Sequence, residues 1–220
     1  MSVYRQMAIL DLRHITVEAA KQIEKITQVA MLILPKDGSA ELLEAIAAIP
    51  TEEVAYTISL LQDEELTAVN GTIQIDDSFF KPDGKTFLLC NGVCVVGDLS
   101  PETKGKLFIN GILLGKKNVS QNMAGLTIEA LNGVKLFLDY EEYKVFPNQL
   151  DLDAAAVRYL SPKTALVAGN QILIANDVTA EMLEEKQVML ICGNQITCHQ
   201  ELAPYIRMKA FVGNCVTVQE

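Results

Sequence analysis

Tryptophan is absent from this chain of 220 residues, and histidine occurs only twice, as His14 and His199. A core without tryptophan and with 6% aromatics is assembled from many aliphatic side chains of middling size. That composition suits similar stacked layers better than a globule organised around a few large rings. Two histidines leave little scope for a metal centre or for a nucleophile–base pair. Neither has a second ligand at a metal-site spacing, so no metal, no cofactor and no catalytic residue is expected. Basic charge is also scarce, with 18 Lys and Arg against 28 Asp and Glu and a net charge of −10. Such a surface repels phosphate backbones, and nucleic-acid binding is not expected. No apolar run approaches the ~20 residues that span a bilayer, so membrane insertion is not expected. The five cysteines form an odd set, and Cys90, Cys94 and Cys192 lie inside apolar runs. They fit reduced core thiols in a cytoplasmic protein.

What the chain does have is repetition. Val167-Ala168-Gly169-Asn170-Gln171-Ile172-Leu173-Ile174 has near-copies centred on Asn70-Gly71, Asn91-Gly92, Asn110-Gly111, Asn132-Gly133, Gly193-Asn194 and Gly213-Asn214. A weaker copy is Phe146-Pro147-Asn148-Gln149-Leu150-Asp151-Leu152. Steps between most neighbouring copies fall between 15 and 24 residues, the period of a solenoid. Each copy has an alternating run, a pair that tolerates positive φ, and a second alternating run. The pairs Asn70-Gly71 to Gly213-Asn214, with Gly169-Asn170 among them, are therefore expected to be structural turns. The Asn side chains would be stacked and bonded from coil to coil.

Before residue 67 the pattern is different. A strand is expected over 7–12, then a helix capped by Thr16 with Val17, Ala20, Ile23 and Ile26 on one face. A strand over 29–34, a helix over 39–48 and a strand over 54–58 follow. Strand–helix–strand units of this kind pair in parallel. Ser100-Pro101 and Ser161-Pro162 carry the residues of helix starts. Further short helices are expected over 178–186 and 199–206. The fold class is thus a mainly β repeat solenoid, with right-handed parallel β-helix-like coils of about 20 residues and short helices. Its α/β N-terminal coils are leucine-rich-repeat-like. Residues 1–66 would form a cap or the first coils and residues 67–220 the β-solenoid, together one continuous structural domain. The architecture is similar to parallel β-helix proteins, although the L-x-x-L-x-L-x-x-N/C pattern is not kept through residues 67–220.

Acidic residues recur at Asp76, Asp77, Asp98, Asp139 and Asp177, but without the Gly-Gly-x-Gly-x-Asp repeat of calcium solenoids they fit a solvated edge. The function expected is a non-catalytic scaffold or protein-interaction solenoid. It would form a homo-oligomer end to end through the C-terminal coil, 210–218, because no capping helix follows that coil. The alternative is an enzyme or small-ligand binder with its site at the repeat break, 140–159. Tyr140, Glu142, Tyr143 and Arg158 stand there outside the regular pattern.

Overall fold

A computed structural model describes residues 2–219, which fall into two units divided between Glu64 and Glu65. The first contains β1 (Ser2–Asp11), α1 (Val17–Lys21), β2 (Ile23–Pro35), α2 (Ala40–Ala47) and β3 (Thr51–Leu60). The sheet order is β1-β2-β3 with every pairing parallel, and Met7, Val29 and Val54 share one register position. Thr16 caps α1 by accepting from Ala19 N, and Ser39 caps α2 by accepting from Leu42 N. Each helix carries the chain back to the edge where the next parallel strand begins.

The first helix is shorter than its apolar spacing predicts. It ends at Lys21, and Ile23 and Ile26 belong to β2, where both are buried. β-branched residues with a strand on either side gain a ladder and a packed face, which outweighs their helical spacing. Gln6, Gln28 and Glu53 take φ of 57°, 57° and 54° at matching positions in the three strands. The sheet therefore bends along one line. No glycine marks that bend in the sequence.

The second unit opens with β4 (Glu65–Ile75), β5 (Thr86–Val96), β6 (Gly105–Lys116) and β7 (Leu126–Leu138), paired in parallel in that order. Then strands shorten and alternate between two sheets. β8 (Glu142–Phe146), β10 (Thr164–Ala168), β12 (Met189–Cys192) and β14 (Phe211–Val212) form one. β9 (Gln149–Leu152), β11 (Gln171–Ile174), β13 (Gln195–His199) and β15 (Cys215–Gln219) form the other. The connections carry α3 (Ala154–Tyr159), α4 (Ala180–Glu185) and α5 (Ala203–Lys209). Among the described residues strand dominates, the sheets are parallel, and none closes into a barrel. Ser100-Pro101 and Ser161-Pro162 form turns rather than helix starts. The helix after β9 begins instead at Asp153, whose carboxylate accepts from Ala156 N at 2.7 Å.

The ladder is not continuous through this unit. β7 and β8 do not pair. Val93, Ile112, Leu114 and Leu136, on β5 to β7, pack instead against Ala165, Val167 and Ile191 of β10 and β12. A second cluster, around Leu88, Cys90, Leu107 and Ile109, fills the other side of the first sheet. That sheet is apolar on both faces, so its second face needs a cover, and the later repeats supply it.

Candidate functional site

The most regular polar feature is the asparagine column. The ladder aligns Asn70, Asn91, Asn110 and Asn132, with Gly71, Gly92, Gly111 and Gly133 aligned beside them. Asn91 donates to Asn70 Oδ1 at 2.9 Å and Asn110 to Asn91 Oδ1 at 3.4 Å. In the later repeats Asn194 donates to Asn170 Oδ1 at 3.1 Å and Asn214 to Asn194 Oδ1 at 3.2 Å. Each of these amides donates toward the preceding repeat, so Asn214 Oδ1 is left as an acceptor at the outer end of its row.

The expectation of a turn needs correcting for the first series. The four Asn-Gly pairs do not end strands; each lies inside an unbroken strand of 11 to 13 residues. Gly71, Gly92, Gly111 and Gly133 have φ of 119°, 140°, 138° and 151°, which bends the strand without breaking its ladder. In the second series the strand does break, between β10 and β11, β12 and β13, and β14 and β15. There the glycines have no positive φ. They are needed for proximity, because a β-carbon on Gly193 or Gly213 would collide with the carbonyl oxygen of Gly169 or Gly193.

The residues of the repeat break do not converge. Tyr140 and Tyr143 pack against the cluster between the facing sheets. The Tyr143 hydroxyl donates to Leu138 O at 2.9 Å and lies 3.3 Å from Gly115 O, and burial pushes both phenols up. Glu142 is paired with Lys144 at 3.0 Å and accepts from the Thr164 hydroxyl at 3.4 Å. The Lys144 ammonium holds its carboxyl below the usual range. Arg158 stands exposed in the last turn of α3, beyond β9. A shallow depression of about 550 Å³ includes Glu141, Glu142, Lys163 and Glu185, but neither tyrosine nor Arg158. The Tyr143 hydroxyl, bonded to main-chain carbonyls of the facing sheet, ties the two sheets together and is not free for a substrate.

Other reactive groups are similarly engaged. Cys90, Cys94, Cys192 and Cys198 are buried. Burial pushes the Cys90 thiol up to about 11, and those of Cys94, Cys192 and Cys198 upward as well. A thiol so raised is a poor nucleophile. His199 Nε2 lies 3.0 Å from Val178 O. Among the described residues no group of three or more His, Cys, Asp or Glu could hold a metal ion. Several recurring acids brace turns. Asp76 accepts from Ser78 N at 2.9 Å, Asp177 from Ala154 N at 3.2 Å, and Asp77 from Ser100 N at 2.7 Å and from the Thr103 hydroxyl. The Thr103 and Ser100 bonds hold the Asp77 carboxyl below its ordinary range.

Sequence reasoning passed over Arg13. It is 5% exposed, paired with Asp11 at 2.7 Å, and donates to Glu64 O at 2.5 Å and Leu61 O at 3.2 Å. The guanidinium thereby fastens the turn that follows β3. The only local signal is an arginine two residues after an aspartate, which is too common to read.

No family model matches this chain, and neither the curated proteins nor the solved structures compared with it gave a match. Among the described residues no helix is long and apolar enough to cross a membrane.

Proposed function

We propose that this chain is a non-catalytic interaction scaffold. On this reading its parallel repeats are the coils of a right-handed β-solenoid, and it associates with further copies of itself through the outermost repeat, α5–β14–β15. One observation carries the proposal. Among the described residues β15 has a ladder partner on one side only, β13, while its Val216 and Val218 are only half-buried. An open parallel edge offers unpaired N–H and C=O groups and a partly covered core, a template for another strand. The side chains at that edge, Cys215, Thr217 and Gln219, carry no charge to repel one. The engaged Tyr143 hydroxyl, the raised thiols and the scattered break residues favour a scaffold over a catalyst.

Light scattering on a sizing column, across a wide concentration range, tests this. The wild-type mass should rise with concentration. The double variant Cys215→Lys/Thr217→Lys, which puts two charges on the edge, should remain at the single-chain mass with an unchanged circular dichroism spectrum. A wild type that stays at that mass throughout, or a variant that associates as the wild type does, would overturn the proposal.

A further inference from the structure

The repeats use two orders of the same pair, and the two differ chemically. In Gly169-Asn170, Gly193-Asn194 and Gly213-Asn214 the asparagine is followed by Gln171, Gln195 or Cys215. In the first series it is followed by glycine, at Asn70-Gly71, Asn91-Gly92, Asn110-Gly111 and Asn132-Gly133. A glycine nitrogen has no side chain beside it to block its approach to the asparagine Cγ, so these pairs can close a small cyclic imide. All four asparagines are exposed. The strand is what restrains them. Extended backbone holds the glycine nitrogen away from the preceding Cγ, and ring closure needs a local opening.

That restraint is unequal along the column. Asn91 and Asn110 lie in β5 and β6, which have strands on both sides, and their amides donate to Asn70 and Asn91. Asn70 lies in the outermost strand β4, but its Oδ1 is held by Asn91. Asn132 lies in β7, outermost at the other end of the sheet. Its register partner is Asn110, yet the amide row stops before it, and among the described residues the Asn132 side chain has no hydrogen-bond partner. Gly133 is exposed, whereas Gly71, Gly92 and Gly111 are half-buried. The ladder also slips just before this pair. Leu107 and Phe108 stand opposite Ile128 and Ala130, which leaves Glu129 without a partner. A bulge on an outermost strand weakens pairing locally.

We propose that Asn132-Gly133 is a site of spontaneous covalent modification, where intramolecular deamidation converts Asn132 to aspartate and isoaspartate with water as the co-reactant. Solvent base takes the Gly133 amide proton, and the Gly133 nitrogen forms a bond to Asn132 Cγ. The Cγ–Nδ2 bond breaks, and Nδ2 takes up a proton and leaves as ammonia. Water then opens the imide. Breaking the bond from Gly133 N to Cγ gives aspartate, and breaking the bond from Gly133 N to the main-chain carbonyl carbon gives isoaspartate. Both products place a new negative charge on β7. Isoaspartate also adds a carbon to the backbone, which shifts Val134 and Leu136 from the positions where they pack against the facing sheet.

Incubation of the full chain at mildly alkaline pH, followed by peptide mapping with mass spectrometry, tests this at all four sites. In the native protein Asn132 should convert first, roughly tenfold or more faster than Asn91 and Asn110, and several-fold faster than Asn70. Its products should be a mixture of aspartate and isoaspartate, and its rate should rise with pH. In urea that unfolds the chain the four rates should come within a few-fold of one another. Asn132→Gln should abolish the fast phase of ammonia release with an unchanged circular dichroism spectrum, because the ring that glutamine would form is one atom larger and closes far more slowly. Equal native rates at the four sites, or faster conversion at Asn70, Asn91 or Asn110, would overturn the proposal. So would a lead of Asn132 that persists unchanged in urea, since neighbouring residues rather than the fold would then select the site.

Discussion

Two glycines in the same ladder column should respond very differently to alanine. Gly71 lies in β4, outermost in its sheet, and a β-carbon there meets nothing within 4 Å. Its φ of 119° is the only obstacle, so Gly71→Ala should cost about 1–3 kcal/mol, the usual range for a side chain forced into a glycine conformation. Gly111 lies in β6 with strands on both sides and has a φ of 138°. A β-carbon there also collides with Gly92 O, which is held in the ladder. Relief requires that carbonyl to move, which sacrifices ladder bonds worth ~1 kcal/mol each net and loosens the buried Ile109 and Ile112 on either side. Gly111→Ala should therefore cost about 3–6 kcal/mol, a large part of the ~5–15 kcal/mol that holds a typical domain together. The assay is urea unfolding followed by far-ultraviolet circular dichroism, because no tryptophan is available as a probe. Hydrogen exchange at the β6 amides localises the effect. If both variants lose the same stability, within about 0.5 kcal/mol, close backbone approach is not what selects glycine in this column.

Two further outcomes follow from named groups. Burial pushes the Asp11 carboxyl up, but the Arg13 hydrogen bonds and charge outweigh that and hold it below its ordinary range. Its folded value is depressed, so its stabilisation is present above the unfolded carboxylate range and is lost as pH falls through the folded value. Acid titration of the first unit should show this loss, and Asp11→Asn should remove it. At neutral pH the same variant should cost on the order of 2 kcal/mol, less than the ~3–5 of a fully buried pair because the Asp11 side chain is 30% exposed. An Asn variant as stable as wild type at neutral pH would show that Arg13 needs only its carbonyl partners. Of the five cysteines, Cys215 is the exposed one and should react with a thiol reagent in dilute native protein. Cys90, Cys94, Cys192 and Cys198 should react only on unfolding. Rapid native labelling of Cys90 would contradict its placement in the core.

The amino-acid sequence by itself determined the repeat, its register and the kind of residue each column needs. Those demands are local. A bend requires φ that glycine tolerates, a close approach of neighbouring strands excludes a β-carbon, and an amide stacked on an amide needs another Asn one repeat away. Each leaves the same letter once per repeat, as in Asn70, Asn91 and Asn110, at steps of 21 and 19 residues. Thr16 and Ser39 likewise announce their helices through nearby backbone amides. The candidate residues at the repeat break were legible as exceptions to the pattern, but their separate roles were not. Tertiary structure decided what depended on distant partners. α1 stops at Lys21 because β1 and β3 offer Ile23 and Ile26 a ladder. The first series of Asn-Gly pairs bends strands instead of ending them because pairing continues on both sides of each bend in β5 and β6. The ladder breaks after β7 because the apolar outer faces of β5 to β7 gain more from being covered by β10 and β12 than from one more strand at the edge. Tyr143 and Arg13 take their roles from carbonyls at Gly115 and Glu64, and no spacing within the sequence encodes either meeting.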